Sequence, residues 1–153
     1  MLIVVLIIGI LAAIALPQYK LAVLKSKYAT MKDIVRVVKE AQQRYYMVNN
    51  DYTINFNDLD IEYNREITGN GTNLYINDFH CALHWWNFPN QGIICILDRP
   101  HRLAYYTIYG QNISVCRVMD HTEEYEDTLE DKVCKLETGA TPTYSGSSTV
   151  YKY

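Results

Sequence analysis

The first sixteen residues, Met1 to Leu16 (MLIVVLIIGILAAIAL), hold no charged or strongly polar side chain. Such a segment cannot face water along its length, so it must lie in lipid, in a deep core or against copies of itself. Crossing a bilayer takes about 20 residues, and this run falls short. A cleaved signal peptide would bring a basic start, a shorter apolar region and a small-residue cleavage site. This chain has no basic start, and its apolar run continues into a helical pattern.

Beyond Leu16 the pattern changes character. Leu24, Tyr28, Met31, Val35, Val38, Ala41, Tyr45 and Val48 recur every three or four residues, which is an amphipathic helix stripe. Lys20, Lys25, Lys27, Lys32, Arg36, Lys39 and Arg44 lie mainly off it, and Asn49-Asn50-Asp51 is a stop signal. A helix from Met1 to about Val48 is about 70 Å long at 1.5 Å per residue. It outreaches a domain of this size, so residues 1–48 are expected to form a protruding helix, with 1–16 as its membrane or filament-core part and 17–48 as its amphipathic part. Residues 49–153 form the head. Gly9 weakens a helix by about 1 kcal/mol, and Pro17 deletes a hydrogen bond and clashes, at about 3 kcal/mol. Ile10, Leu11, Ala12, Ala13, Ile14, Ala15 and Leu16 lie between them, and this is the stretch predicted to kink or melt.

The order Gly9, Ala15, Pro17, Tyr19 within MLIVVLIIGILAAIALPQYKLAVLKSKYATMKD resembles the N-terminal region of type IV pilins and the related pseudopilins. The likeness covers about the first third of the chain. In that family a short stretch with a near-terminal glutamate precedes the apolar run. The resemblance places Met1 directly after it, with about five residues before Met1, which restores a spanning length of about 20. It further implies a helical spine carrying a four-stranded antiparallel sheet, an α+β fold. It also implies a chain held in the inner membrane before assembly, polymerisation with copies of itself into a helical filament, and partnership with pilus assembly machinery.

In the head, Thr68-Gly69-Asn70-Gly71-Thr72 is a turn signal, and residues 49–73 read as a connecting region. Apolar and aromatic runs at about 74–86, 92–98, 103–109 and 113–118, separated by turn chemistry, predict an antiparallel meander with one face on the helix and the other toward solvent. Asp120 and Glu123 suggest a cap for a short acidic helix over about 121–136 with Gly139 past its end. The tail from Thr138 is polar and turn-rich, although Tyr151-Lys152-Tyr153 has the residues for an edge strand.

Cys81, Cys95, Cys116 and Cys134 are the four cysteines, all in the C-terminal half. A secreted context favours two disulfides over a metal. Three pairings are open, and Cys81–Cys95 with Cys116–Cys134 is preferred because each closes a local loop. The metal alternative rests on His80, Cys81, His84 and Cys95, whose spacing fits no standard zinc site. No GxSxG elbow, HExxH or Gly-rich phosphate loop is present, so the chain reads as no enzyme, with no cofactor and no small-molecule substrate. Asn70 and Asn112 head the two N-glycosylation sequons. The fourteen tyrosines, Tyr28, Tyr45, Tyr46, Tyr105, Tyr106 and Tyr109 among them, read as core filler or wetted surface. A net charge of -3 argues against a nucleic-acid binder.

The expected function is therefore assembly, as a pilus subunit serving adhesion, motility or DNA uptake. A major pseudopilin of a type II secretion system is the alternative within the family. A monomeric membrane-anchored enzyme or binding domain is the alternative outside it.

Overall fold

The computed structural model describes residues 2–62, 66–83, 92–98, 100–111, 113–119 and 128–153. Helix α1 runs unbroken over Leu2–Asn49, through Pro17. It ends where Asn50 takes a left-handed φ of 54° and its N–H closes back on the Tyr46 carbonyl, a conformation Asn tolerates better than other non-glycine residues. From Ile3 to Lys20 every residue is exposed, and from Leu24 onward one face is buried.

Among the described residues eight strands follow, all antiparallel: β1 (Glu66–Thr68), β2 (Asn73–Ile76), β3 (Phe79–Ala82), β4 (Gly92–Leu97), β5 (Leu103–Ile108), β6 (Ile113–Met119), β7 (Thr143–Ser145) and β8 (Ser148–Lys152). Helix α2 (Leu129–Thr138) lies between β6 and β7. The strands make one sheet in the order β1-β2-β3-β4-β5-β6-β8-β7. The α+β class stands, but the four-stranded expectation is corrected to eight, for three local reasons.

First, the apolar run from residue 74 is two strands. Asn77 adopts φ 49°, and Ile76 pairs with Phe79 across the two-residue Asn77-Asp78 loop, a tight hairpin that hydropathy does not reveal. Second, the connecting region supplies β1. Gly71, at φ +91°, sits where a Cβ would collide with the Asn55 side chain, and its carbonyl accepts the Phe56 N–H at 2.7 Å. Only glycine fits this backbone without strain. Third, the polar tail is a hairpin. Ser145 pairs with Ser148 around Gly146, and β8 lies against β6, with Cys116 opposite Tyr151. Backbone pairing and the burial of Tyr151 (1% exposed) decide its conformation, although the polar side chains suggested exposure.

The core lies between α1 and one face of the sheet. Leu24, Tyr28, Met31, Val35, Val38 and Ala41 meet Leu74, Cys81, Ile93, Cys95, Leu97, Leu103 and Cys116. The opposite face is not simply wet, because Ala82, Ile94, Ile96 and Ala104 form a second buried cluster there. Strand β4 is thus apolar on both sides, as its unbroken Ile93-Ile94-Cys95-Ile96-Leu97 run requires.

The short helix also starts later than expected. Thr128 caps α2 in a capping box with Asp131, so α2 begins at Leu129 and runs to Thr138, two residues past the expected end at 136; residues 121–127 lie outside the described residues. Asp120 and Glu123 lie outside the described residues. Gly139 ends α2 in the left-handed region, as its position suggested.

Candidate assembly interface

The surface that calls for a partner is the leading half of α1. Ile3 is 73% exposed, Leu6 65% and Leu11 62%, and a Cβ placed on Gly9 would meet nothing within 4 Å beyond its own stretch of helix. The side chains Ile3 to Leu16 are all exposed, so no described residue covers this apolar cylinder. The helix is long and apolar enough to cross a membrane. The segment Gly9, Ile10, Leu11, Ala12, Ala13, Ile14, Ala15, Leu16 and Pro17 is helical throughout in the isolated chain.

The trailing half is fastened to the head by packing and by polar clamps. Gln42 is fully buried, donating through Nε2 to the Thr53 carbonyl at 2.7 Å and accepting the Thr53 N–H at 3.1 Å. Arg44 makes two 2.7 Å bonds to Asp60, and these hold the Asp60 carboxyl below its ordinary pKa. Lys27 pairs with Asp78 at the β2–β3 turn.

Glu137 of α2 takes both Lys32 (2.9 Å) and Lys25 (3.4 Å) from the helix. Burial opposes its charge, but the hydrogen bond and attraction of Lys32, joined by Lys25, outweigh burial and lower its pKa. The Lys32 ammonium also sits 5.2 Å from the Tyr153 ring centre. Tyr153 meets the Tyr28 hydroxyl at 3.1 Å. Burial, then this contact, pushes the Tyr28 hydroxyl pKa far up.

Both disulfides join the preferred partners. Cys81–Cys95 links neighbouring strands with Cα atoms 4.0 Å apart, and Cys116–Cys134 ties β6 to α2 at 5.6 Å. Their sulfurs are therefore not thiolate ligands for a metal. His80 Nδ1 lies 2.9 Å from Asp98 Oδ1, and His101 Nδ1 lies 2.7 Å from Glu130 Oε1. His84 falls outside the described residues.

The expected tyrosines divide by burial. Tyr28 and Tyr109 are buried, Tyr45, Tyr105 and Tyr106 are half-buried, and Tyr46 is exposed. Tyr46 stacks on Tyr52 at 4.7 Å, and Tyr52 lies 4.9 Å from Tyr109. Asn70 is exposed in the β1–β2 turn with φ 57°. Asn112 lies outside the described residues, as do Glu123, Glu124, Glu126 and Asp127 of the expected solvated acidic face of the short helix. Of its other members Glu130 is half-buried and Asp131 is buried, held by Thr128 and Tyr151. Gln42, Asp131 and Glu137 were not anticipated as anchoring residues. Their only sequence signal is a polar residue placed on or beside an apolar stripe.

No family model matches the chain, and neither curated proteins nor solved structures provide a match.

Proposed function

We propose that this chain is a filament subunit of the type IV pilin kind. The observation that carries the reading is the division of α1. One continuous 48-residue helix has its trailing half buried in a disulfide-bonded head and its apolar leading half uncovered. A membrane holds such a helix in the monomer, and copies of the same helix replace lipid in a filament with little net change in apolar contact. The heads then form the outer surface, where disulfides persist in an oxidising medium.

On this reading the partners are copies of the chain, the inner membrane before assembly, and the machinery that extracts subunits from it. The filament is extracellular and serves adhesion, motility or DNA uptake. Gly9 to Pro17 is helical in the free subunit, and in the filament Ile10 to Leu16 gives up helical hydrogen bonds where helices crowd. Cryo-EM of the sheared cell-surface fraction tests the proposal. Long fibres built from this chain, with that stretch extended, are expected. Confinement of the chain to the envelope would overturn it in favour of a pseudopilin. Fibres with Ile10 to Leu16 fully helical would remove the melting step alone.

A further inference from the structure

Where α1 leaves its uncovered half, a shallow cavity opens between the helix and the start of α2, lined by Tyr19, Lys20, Val23, Leu24, Lys27, His101 and Leu129. We infer that this cavity is a binding site for the headgroup of an anionic phospholipid. The inference rests on the membrane-held state of the monomer proposed above.

Position is the first argument. Tyr19 and Lys20 stand three and four residues beyond Leu16, about 5 Å along the axis from the end of the apolar run. With Met1 to Leu16 in the hydrocarbon, the cavity lies at headgroup level. Tyr19, 68% exposed, has the amphipathic ring that settles at that depth.

The lining is the second. Leu24, Val23 and Leu129 give an apolar floor for the glycerol and first methylenes. Lys20 and Lys27 supply cationic groups at the rim. Lys27 is engaged by Asp78 and His101 by Glu130 through Nδ1. Lys20, by contrast, makes no ion pair with any described residue, so its exposed ammonium is free to meet a phosphate.

The third argument is continuity. Gly9, Ala13, Leu16 and Lys20 succeed one another at three- and four-residue spacing, which places them on one face of the helix. That face offers the small Gly9 and Ala13 in the membrane, then Leu16 and a cation above them. An acyl chain lying along it brings its phosphate to Lys20.

The test uses the full chain in detergent with equimolar phosphatidylglycerol and phosphatidylcholine, reading retained lipid by native mass spectrometry. Phosphatidylglycerol should be retained in excess, and Lys20→Gln should reduce that excess about fivefold, the equivalent of about 1 kcal/mol per lysine near an anionic surface. Lys25→Gln is the control, because Lys25 is five residues on and about 140° round the helix. Its substitution should leave the excess within about twofold. Equal retention of the two lipids, or an equal fall in both variants, would overturn the site and leave the filament proposal standing. Co-flotation with vesicles of either composition checks the premise. A chain that fails to float with both would refute the membrane-held state itself, and the site with it.

Discussion

The Tyr151 hydroxyl donates to Asp131 Oδ1 across 2.7 Å, and each residue is only 1% exposed. Asp131 Oδ2 meanwhile accepts from the Thr128 hydroxyl at 2.7 Å and from the Thr128 N–H at 3.3 Å. One carboxylate therefore caps α2 and receives the strand that completes the sheet. Tyr151→Phe keeps the ring and deprives a buried acceptor of a donor, so it should cost about 1–3 kcal/mol. Urea unfolding of the variant would show it, with both disulfides still formed.

Glu137 predicts an acid limb. Its folded pKa is lowered by Lys32 and Lys25 against burial. Its contribution is therefore fully present above the ordinary glutamate value of about 4.3 and lost as pH falls through the lower folded value. Urea midpoints of the parent and Glu137→Gln should differ at neutral pH and converge on acidification. A difference that persists unchanged at about pH 2 would contradict this assignment.

Cys116–Cys134 closes an 18-residue separation between β6 and α2. Replacing both by serine should cost about 3 kcal/mol, lowering the melting temperature by about 10 °C or more. The partner bond, Cys81–Cys95, joins strands that already pair in register, so its loss should disturb the backbone less. Calorimetry of the two double variants compares them.

Removing residues 1–17 takes away no buried side chain among those described. The shortened chain, made in an oxidising compartment, should remain monomeric by sedimentation. Its head should stay within about 0.5 kcal/mol of the parent's stability, as for surface changes generally. An unfolded product would mean that the leading half supports the head in a way its exposure does not suggest.

The legible parts of this fold were those written in side-chain periodicity. Of the stripe from Leu24 to Val48, Leu24 to Ala41 form the buried face of α1, Tyr45 is half-buried and Val48 is exposed, and all but the first residue of the turn signal at Thr68–Thr72 fall between β1 and β2. Local loop closure was enough to rank the cysteine pairings. What stayed hidden depends on backbone conformation or distant partners. The left-handed Asn77 splits one apolar run into two strands. The polar Ser148-Thr149-Val150 segment becomes strand because β6 offers it an edge. In the same way, Gln42 on the core face of a helix gives no hint that Thr53 will satisfy its amide. The candidate interface was legible only as an excess of apolar surface that no described residue covers.

The contact between Tyr28 and Tyr153 spans 125 positions of sequence, and strand β6 waits on residues 148–152 for its neighbour. At 5–20 residues per second, ribosomal synthesis needs about 6–25 s to travel that distance. Strand β6, complete at Met119, waits 29 of those positions for Ser148, about 1.5–6 s at the same rate, with its edge open. Quality control therefore has a built-in deadline. Until the final hairpin arrives, the nascent head presents an unpaired strand edge of the kind that holdases and proteases engage.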